Sequence, residues 1–271
     1  MRDRVLLDVR DESGGRVAHV TLNRPEKYNA LDLELLHALV DVAGQVAADR
    51  SIRAVILAGA GRAFCAGLDF AAVAKAGPLV TARGFVKLPG QRTNLFQQAC
   101  WAWRELPVPV IAVLHGPCFG GGLQRALAAD FRFATPDCEL SVMEAKWGLI
   151  PDMTGSVTLR ELVGMDVAKR LTMTAEIVDG RQALAYGLLT GVADDPAKEA
   201  DALVGQLLTR SPDAVALAKR LFHSTWTQSP RRAFWTETWL QARLMRTANH
   251  RVARAANLAK ELPTSVSRRL G

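Results

Sequence analysis

Up to about residue 190, short apolar runs rich in β-branched residues alternate with longer segments whose apolar positions recur at helical spacing. The short runs predict strands at residues 5–9, 17–22, 54–58, 110–114, 131–134 and 139–142. Residues 32–48 carry leucine, valine and alanine at helical spacing, which predicts a helix with Asp32 or Asn29 as its N-cap. Such alternation predicts an α/β layer architecture with crossover helices. Beyond Asp194 the strand pattern stops. Residues 197–209, 212–225 and 230–260 read as helices, and Trp235, Trp239 and Leu244 fall on one apolar face. That face needs a cover, either the main body or another subunit. The chain therefore reads as a core over residues 1–194 and a helical C-terminal part over residues 195–271. Residues 71–95, with Gly77, Pro78, Gly84, Pro89 and Gly90, are the least regular stretch.

Candidate chemistry concentrates where two predicted strands end. RAVILAGA leads into GRAFCAGLD at Gly61–Asp69, and PVIAVLHG leads into GPCFGGGLQ at Gly116–Gln124. Glycines at the end of a strand leave backbone N–H groups unblocked by side chains. The second stretch runs directly into the helical pattern LQRALAAD, which points free N–H groups and the positive end of a helix dipole into one place. Two such loops side by side make a two-donor cradle for a developing oxyanion. From this pattern alone the cradle serves a carbonyl or a phosphate, or the glycines merely make tight turns. Residues 71–95 follow the first loop and are expected to form part of a pocket wall or lid.

Composition narrows the class without choosing the function. A chain of 271 residues can bury a sizeable core. Hydrophobic content of 49% with 23% charged residues is ordinary for a soluble globular protein. The net charge of +7 comes from scattered basic residues, with clusters only at Arg231–Arg232 and among the arginines from 243 to 254. A nucleic-acid face needs basic residues grouped on one surface, so nucleic acid is not an expected partner. A mild positive excess suits an anionic small ligand, or mere solubility. Cys65, Cys100, Cys118 and Cys138 show no metal-binding spacing, so neither a metal site nor a disulfide framework is expected. They read as reduced, mostly buried thiols in a cytoplasmic protein. The start MRDRVLLDVRDE lacks a signal-peptide core, and no apolar run approaches the roughly 20 residues of a membrane span.

Five stretches, in order, resemble the crotonase, or enoyl-CoA hydratase/isomerase, superfamily. NRPEKYNAL at Asn23–Leu31 is similar to the family's N-terminal NRPxxxNAL segment. GRAFCAGLD and HGPCFGGGLQRALAADFRFAT resemble its two oxyanion loops. VMEAKWGLIPDMTGSVTLRELVG resembles the acidic loop and helix that follow, and VDGRQALAYGLLTGV the segment that closes the core. The resemblance covers the chain through residue 190 and thins beyond it. It implies an α/β spiral of ββα turns with a helical C-terminal part, assembled as a homotrimer or a dimer of trimers. It implies an acyl-CoA thioester, with coenzyme A as part of the substrate and no tightly bound cofactor. The thioester carbonyl would sit between the backbone N–H groups of Leu68, just after Gly67, and Gly121, the middle of Gly120–Gly122. The Ala66 carbonyl would accept from the adenine amino group. Arg24 and Lys27 would meet phosphate or adenine, and Asp69 would fix its loop. A lysine often found shortly after that aspartate is replaced by Ala71 and Ala72, which leaves Lys260 or an arginine of the last helix to hold phosphate. The ending ANHRVARAANLAKELPTSVSRRLG departs most from the family pattern.

The acids bear on which reaction follows. Hydratases of this family hold a water between two glutamates, whose positions match Gln124 and Glu144 here. An amide neither takes nor gives a proton at neutral pH, so the usual pair is broken. Asp152 offers a second carboxylate eight residues past Glu144. Glu144 and Asp152 match the acids that shuttle protons in the family's dienoyl-CoA isomerases, which carry a third acid at the Gln124 position. A single glutamate at the Glu144 position serves the simpler Δ3,Δ2-enoyl-CoA isomerases. The leading expectation is double-bond isomerisation of an enoyl- or dienoyl-CoA. The alternatives are an enoyl-CoA hydratase in which Gln124 orients the water, and a non-catalytic acyl-CoA carrier. Asp152 has a competing role as N-cap of a helix over residues 154–163. Trp226, Trp235 and Trp239 are expected in the core or at an interface.

Overall fold

Strands covered on both faces need apolar residues at consecutive positions, and the β-branched runs supply them. A computed structural model describes residues 4–87 and 89–271. Residues 1–3 of the charged start, and Leu88 within residues 71–95, lie outside the described residues. β1 (Val5–Glu12) and β2 (Gly15–Leu22) pair antiparallel. α1 (Leu33–Ala48) crosses over to β3 (Ile52–Gly59), which lies parallel to β2. α2 (Phe70–Ala76), α3 (Pro78–Phe85) and α4 (Leu95–Arg104) lead to β4 (Val110–Leu114), parallel to β3. β5 (Pro117–Phe119) leaves the main sheet, and α5 (Gly121–Leu127) brings the chain back to β6 (Phe131–Ala134) beside β4. β7 (Glu139–Ser141) joins β5 in a small parallel sheet. After α6 (Gly155–Leu162), α7 (Met165–Thr174) and α8 (Gly180–Tyr186), β8 (Gly191–Val192) completes a main sheet of order β1-β2-β3-β4-β6-β8. α9 (Pro196–Leu208), α10 (Pro212–Thr225), α11 (Pro230–Leu244) and α12 (Ala248–Ala259) follow. This is the α/β spiral, with a helical C-terminal part, that the resemblance implies.

Alternate residues of β3 and β4 serve two cores. Val55, Leu57, Val110, Ala112 and Leu114 face the larger one, with the buried Leu35, Leu36 and Leu39 of α1. Ala54, Ile56, Ile111 and Val113 face α9, which buries Ala200, Val204 and Leu208 against them. The helical C-terminal part thus begins as a layer on the sheet itself. Lys219 of α10 pairs with Asp130 at 2.6 Å and donates to the Val108 carbonyl at 2.9 Å, locking the next helix to the sheet end. Asp213 gathers the tail, accepting from Asn249 Nδ2 and from the backbone N–H groups of Arg269 and Leu270.

Several elements differ from the sequence reading for identifiable reasons. Asp32, not Asn29, caps α1, its carboxylate accepting from the Leu35 N–H at 2.8 Å. The predicted helix over residues 230–260 is two helices, because the Thr247 hydroxyl starts a new one by accepting from the His250 N–H. Residues 71–95 take in all of α3 and all but the first residue of α2, each helix too short for a periodic signal. β5 and β8 are three and two residues long and escape pattern reading for the same reason. Trp226, Trp235 and Trp239 are not in the core: they are 60%, 70% and 42% exposed, and the Arg220 and Arg243 guanidiniums each lie over the Trp239 ring. All four cysteines are buried and unpaired.

Candidate active site

The two glycine loops meet through backbone pairing. The first runs as an added strand along β5, with the Phe64 N–H donating to His115, Cys65 to Pro117, and Phe119 back to Cys65. The Asn23–Leu31 segment clamps its other side. Asn29, fully buried, donates from Nδ2 to the Ala60 and Ala63 carbonyls at 2.9 and 2.8 Å. The Leu31 N–H donates to Gly67 and the Asp69 N–H to Leu31. Two glycines permit this approach. A Cβ at Gly122 would stand 2.4 Å from the Cys65 carbonyl oxygen, and Gly67 has φ +94° with the Phe119 carbonyl 3.0 Å from where its Cβ would be. The result is a pair of donors. Among the described residues, the Leu68 and Gly121 N–H groups have no acceptor, and both residues line one cavity. Gly121 is the first residue of α5, where a helix leaves its N–H groups free.

The cavity holds about 230 Å³. Ala66–Leu68, Gly120 and Gly121 form one side, and aromatic rings form much of the rest. Phe85 stacks on Phe96 with centroids 4.5 Å apart, and Phe70 tilts against Trp147 at 4.8 Å. Phe85 ends α3, so residues 71–95 do supply a wall. The titratable groups lining the cavity are Glu144 and Asp152. None of the lining residues comes from α9–α12.

Glu144 sits on a single 3-10 turn, Met143–Trp147, and is buried. Its Oε1 accepts from Gln124 Nε2 at 2.5 Å. Its Oε2 is buried with no hydrogen-bond partner among the described residues. Burial raises its pKa, and the nearby Asp152 charge adds to the rise, against the hydrogen bond from Gln124. Asp152 is exposed as a residue, yet partial burial of its carboxyl raises its pKa too. It does not cap α6. The N-cap there is Thr154, with no side-chain cap, and the Gly155 N–H donates to Gln124 Oε1 at 2.9 Å. Gln124 Oε1 also accepts from the Met153 N–H at 2.8 Å. Gln124 is fully buried, does not line the cavity, and uses both ends of its amide internally. This corrects the expectation that it orients a water in the pocket.

A family model described as Enoyl-CoA hydratase/isomerase matches residues 12–263 of the chain. The chain belongs to the enoyl-CoA hydratase/isomerase family. It is 32% identical over 216 residues to the short-chain-enoyl-CoA hydratase of Clostridium acetobutylicum, covering 77% of this chain and 78% of that one. It is 32% identical over 218 residues to the mitochondrial Delta(3,5)-Delta(2,4)-dienoyl-CoA isomerase of Rattus norvegicus, covering 75% of this chain and 64% of the other. The crystal structure of an enoyl-CoA hydratase from Mycobacterium smegmatis superposes with a TM-score of 0.81 at 30% identity, covering 96% of this chain and 98% of that one. The chain is thus a crotonase-fold enzyme of the lyase or isomerase kind, in a family that acts on acyl-CoA.

Arg24 does not meet coenzyme A as the resemblance implies. Arg24 is buried and committed: its guanidinium pairs with Asp69 at 2.8 Å and Asp32 at 3.4 Å, and donates to the Ala30 carbonyl. It holds the loops together and is not free to reach a phosphate. Asp69 caps α2 by accepting from the Ala72 N–H, a bond that, with Arg24, holds its carboxyl below the usual range. Lys27 ends the 3-10 turn Pro25–Lys27 and is exposed. Ala66 lines the cavity, and its carbonyl accepts from no backbone N–H among the described residues. The sequence reading missed the Phe85–Phe96 pair and the internal role of Gln124, because both arise from segments brought together only by folding.

Proposed function

We propose that this enzyme shifts a double bond of an enoyl- or dienoyl-CoA thioester through an enolate. The observation that carries this reading is one apolar cavity holding two free backbone donors and two carboxylates. The thioester oxygen would lie between the Leu68 and Gly121 N–H groups, each worth about 3 kcal/mol to the developing oxyanion. Glu144 Oε2 takes a proton from the carbon beside the thioester, and the electron pair moves onto the thioester oxygen. As the carbonyl re-forms, the double bond shifts into conjugation, and Asp152 delivers a proton to the far carbon. Proton exchange then restores both carboxyls. Burial raises both pKa values, bringing a proton carrier closer to working pH. Coenzyme A enters as part of the substrate, and these steps call for no further cofactor. Ala66, Gly67 and Gly120 shape the cradle, and the exposed Lys27, unlike the committed Arg24, is available to coenzyme-A phosphate.

Hydration is a second reading, supported by hydratase relatives as similar as the isomerases. In it, Glu144 Oε2 and Asp152 would flank a water, without Gln124. Incubation with 2-enoyl-, 3-enoyl- and 3,5-dienoyl-CoA, following thioester conjugation by absorbance, separates the two. Isomerisation makes the 3-enoyl and 3,5-dienoyl esters gain conjugation, and hydration makes the 2-enoyl ester lose it. Tight acyl-CoA binding with no turnover of any ester would leave a carrier and end both enzymatic readings. The exposed Trp226, Trp235 and Trp239 suit burial against another copy, which supports the expected homotrimer or dimer of trimers. No described helix is long and apolar enough to cross a membrane. A cytoplasmic site and the absence of nucleic-acid partners remain part of the same proposal.

A further inference from the structure

We propose that Gln124 is a positioning residue that sets the placement of both proton carriers. It rests on the reading of Glu144 and Asp152 as those carriers. One amide reaches three partners. Its Nε2 donates to Glu144 Oε1, and its Oε1 accepts from the Met153 and Gly155 N–H groups. Met153 directly follows Asp152, so the oxygen end pins the backbone that carries the second carboxyl. The nitrogen end pins the first carboxyl itself.

The direction of the amide follows from its partners. Turned over, its oxygen would face a carboxylate oxygen and its NH2 would face two N–H donors. In the observed sense every contact is donor to acceptor, and the contact to Glu144 is charge-assisted when that carboxyl is ionised. Gln124 projects from α5, the helix whose first residue is the oxyanion donor Gly121. Donor and both acids are therefore referenced to one rigid element, as a proton transfer within about 3 Å demands. Holding Oε1 also leaves Oε2 as the single oxygen free to act. A carboxylate in place of this amide could still accept from Met153 and Gly155, but it could not hold an ionised Glu144.

The groups that bear on the Glu144 charge are few. Asp152 stands on the segment before α6 and raises the Glu144 pKa. Cys100 of α4 feels both acids, and its buried thiol is pushed up to about 12 and stays neutral. Lys146 on the same turn, and Asp166, Lys169 and Arg170 on the adjoining α7, are exposed.

The test uses Gln124→Glu and Gln124→Met, with Glu144→Gln for assignment. The Glu144 carboxyl is titrated directly by carbon NMR on protein labelled at glutamate side chains, which needs no turnover. Activity is followed on whichever enoyl-CoA ester the wild type converts. Gln124→Glu should place two carboxyls in contact that share one proton, raising the Glu144 titration by about one pH unit or more. The acid limb of kcat should move the same way. Gln124→Met should also raise that titration, and should lower kcat about tenfold or more with KM changed less than about twofold. An unchanged Glu144 titration in both variants overturns the proposal. So does a Gln124→Met protein that loses only melting temperature and keeps its kcat and pH profile. A fully active Glu144→Gln variant would overturn the carrier reading, and the proposal with it. An inactive Glu144→Gln beside an unshifted titration in Gln124→Glu would overturn the proposal alone.

Discussion

Gly122→Ala isolates the contact between the two loops. Gly122 is the second residue of α5 and has an ordinary helical backbone, so alanine there costs nothing conformationally and favours the helix by about 1 kcal/mol. Its effect must come from contact. The added Cβ would meet the Cys65 carbonyl oxygen at 2.4 Å, and ordinary contact begins at 3.4 Å, so one loop must retreat by about 1 Å. The obstacle is backbone, which cannot swing aside as a flexible side chain would. The same Cys65 carbonyl accepts from the Phe119 N–H, so a retreat strains the pairing that aligns the loops. Leu68 lies three residues beyond Cys65 and Gly121 one before Gly122, so the separation reaches both donors. A misplacement of about 1 Å costs roughly 100-fold, or about 2.7 kcal/mol at 1.36 kcal/mol per decade. Overpacking should remove a further 1–3 kcal/mol or so of stability. The measurement is kcat/KM by thioester absorbance together with the melting temperature, beside Gly44→Ala as control. A Cβ at Gly44 meets nothing within 4 Å, so that variant should keep full activity and gain about 0.5–1 kcal/mol. A Gly122→Ala enzyme with kcat/KM within about threefold of wild type would refute the coupling of loop spacing to catalysis.

The other predictions concern the acids and the thiols. Glu144→Gln should lower kcat by about 10²–10⁴-fold on every ester turned over, and an unaffected kcat would remove Glu144 from the chemistry. Asp152→Asn should reduce isomerisation by a similar factor while leaving acyl-CoA affinity within a few-fold, which titration calorimetry can check; intact isomerisation would confine the proton transfers to Glu144. Burial raises the folded pKa of Glu144 above its ordinary value of 4.5, so its ionisation weakens the fold as pH climbs from about that value through the raised one. Glu144→Gln should therefore raise the melting temperature at pH 7 but not below about pH 4, and an equal shift at both would contradict a raised pKa. Cys65 is pushed up to about 11 and Cys100 to about 12 by burial, so the native protein should resist a disulfide-exchange reagent at pH 8 that titrates all four thiols once denaturant is added. Rapid native reaction would mean the oxyanion loops open in solution.

Periodic patterns made long elements legible and left short ones dark. The strands at residues 110–114 and 131–134, and the helix at residues 212–225, stand where their apolar spacing placed them. β5 and β8 had no such window, and the α11–α12 break turns on one Thr247 hydroxyl inside an otherwise helical stretch. Local sequence also placed the glycine loops after their strands, since strand endings and helix starts are written in neighbouring residues. Family likeness pointed to Leu68, Gly121, Glu144 and Asp152 as one set.

Only the tertiary structure decided which of the singled-out side chains are free to act. Arg24 looked like a phosphate ligand until Asp69, brought in by the first glycine loop, and the nearby Asp32 engaged it. Gln124 looked like a water holder until folding aimed it at Glu144 on one side and at two backbone N–H groups on the other. The sequence by itself determined the alternation of long strands and helices, the two glycine loops and the residue types available to the site, because each depends on residues close together in the chain; the ββα spiral was what the family resemblance implied. The partners of Gln124 and the remaining free oxygen of Glu144 depend on contacts between residues 20 or more apart, and a hydrogen bond once made internally is no longer available to a substrate.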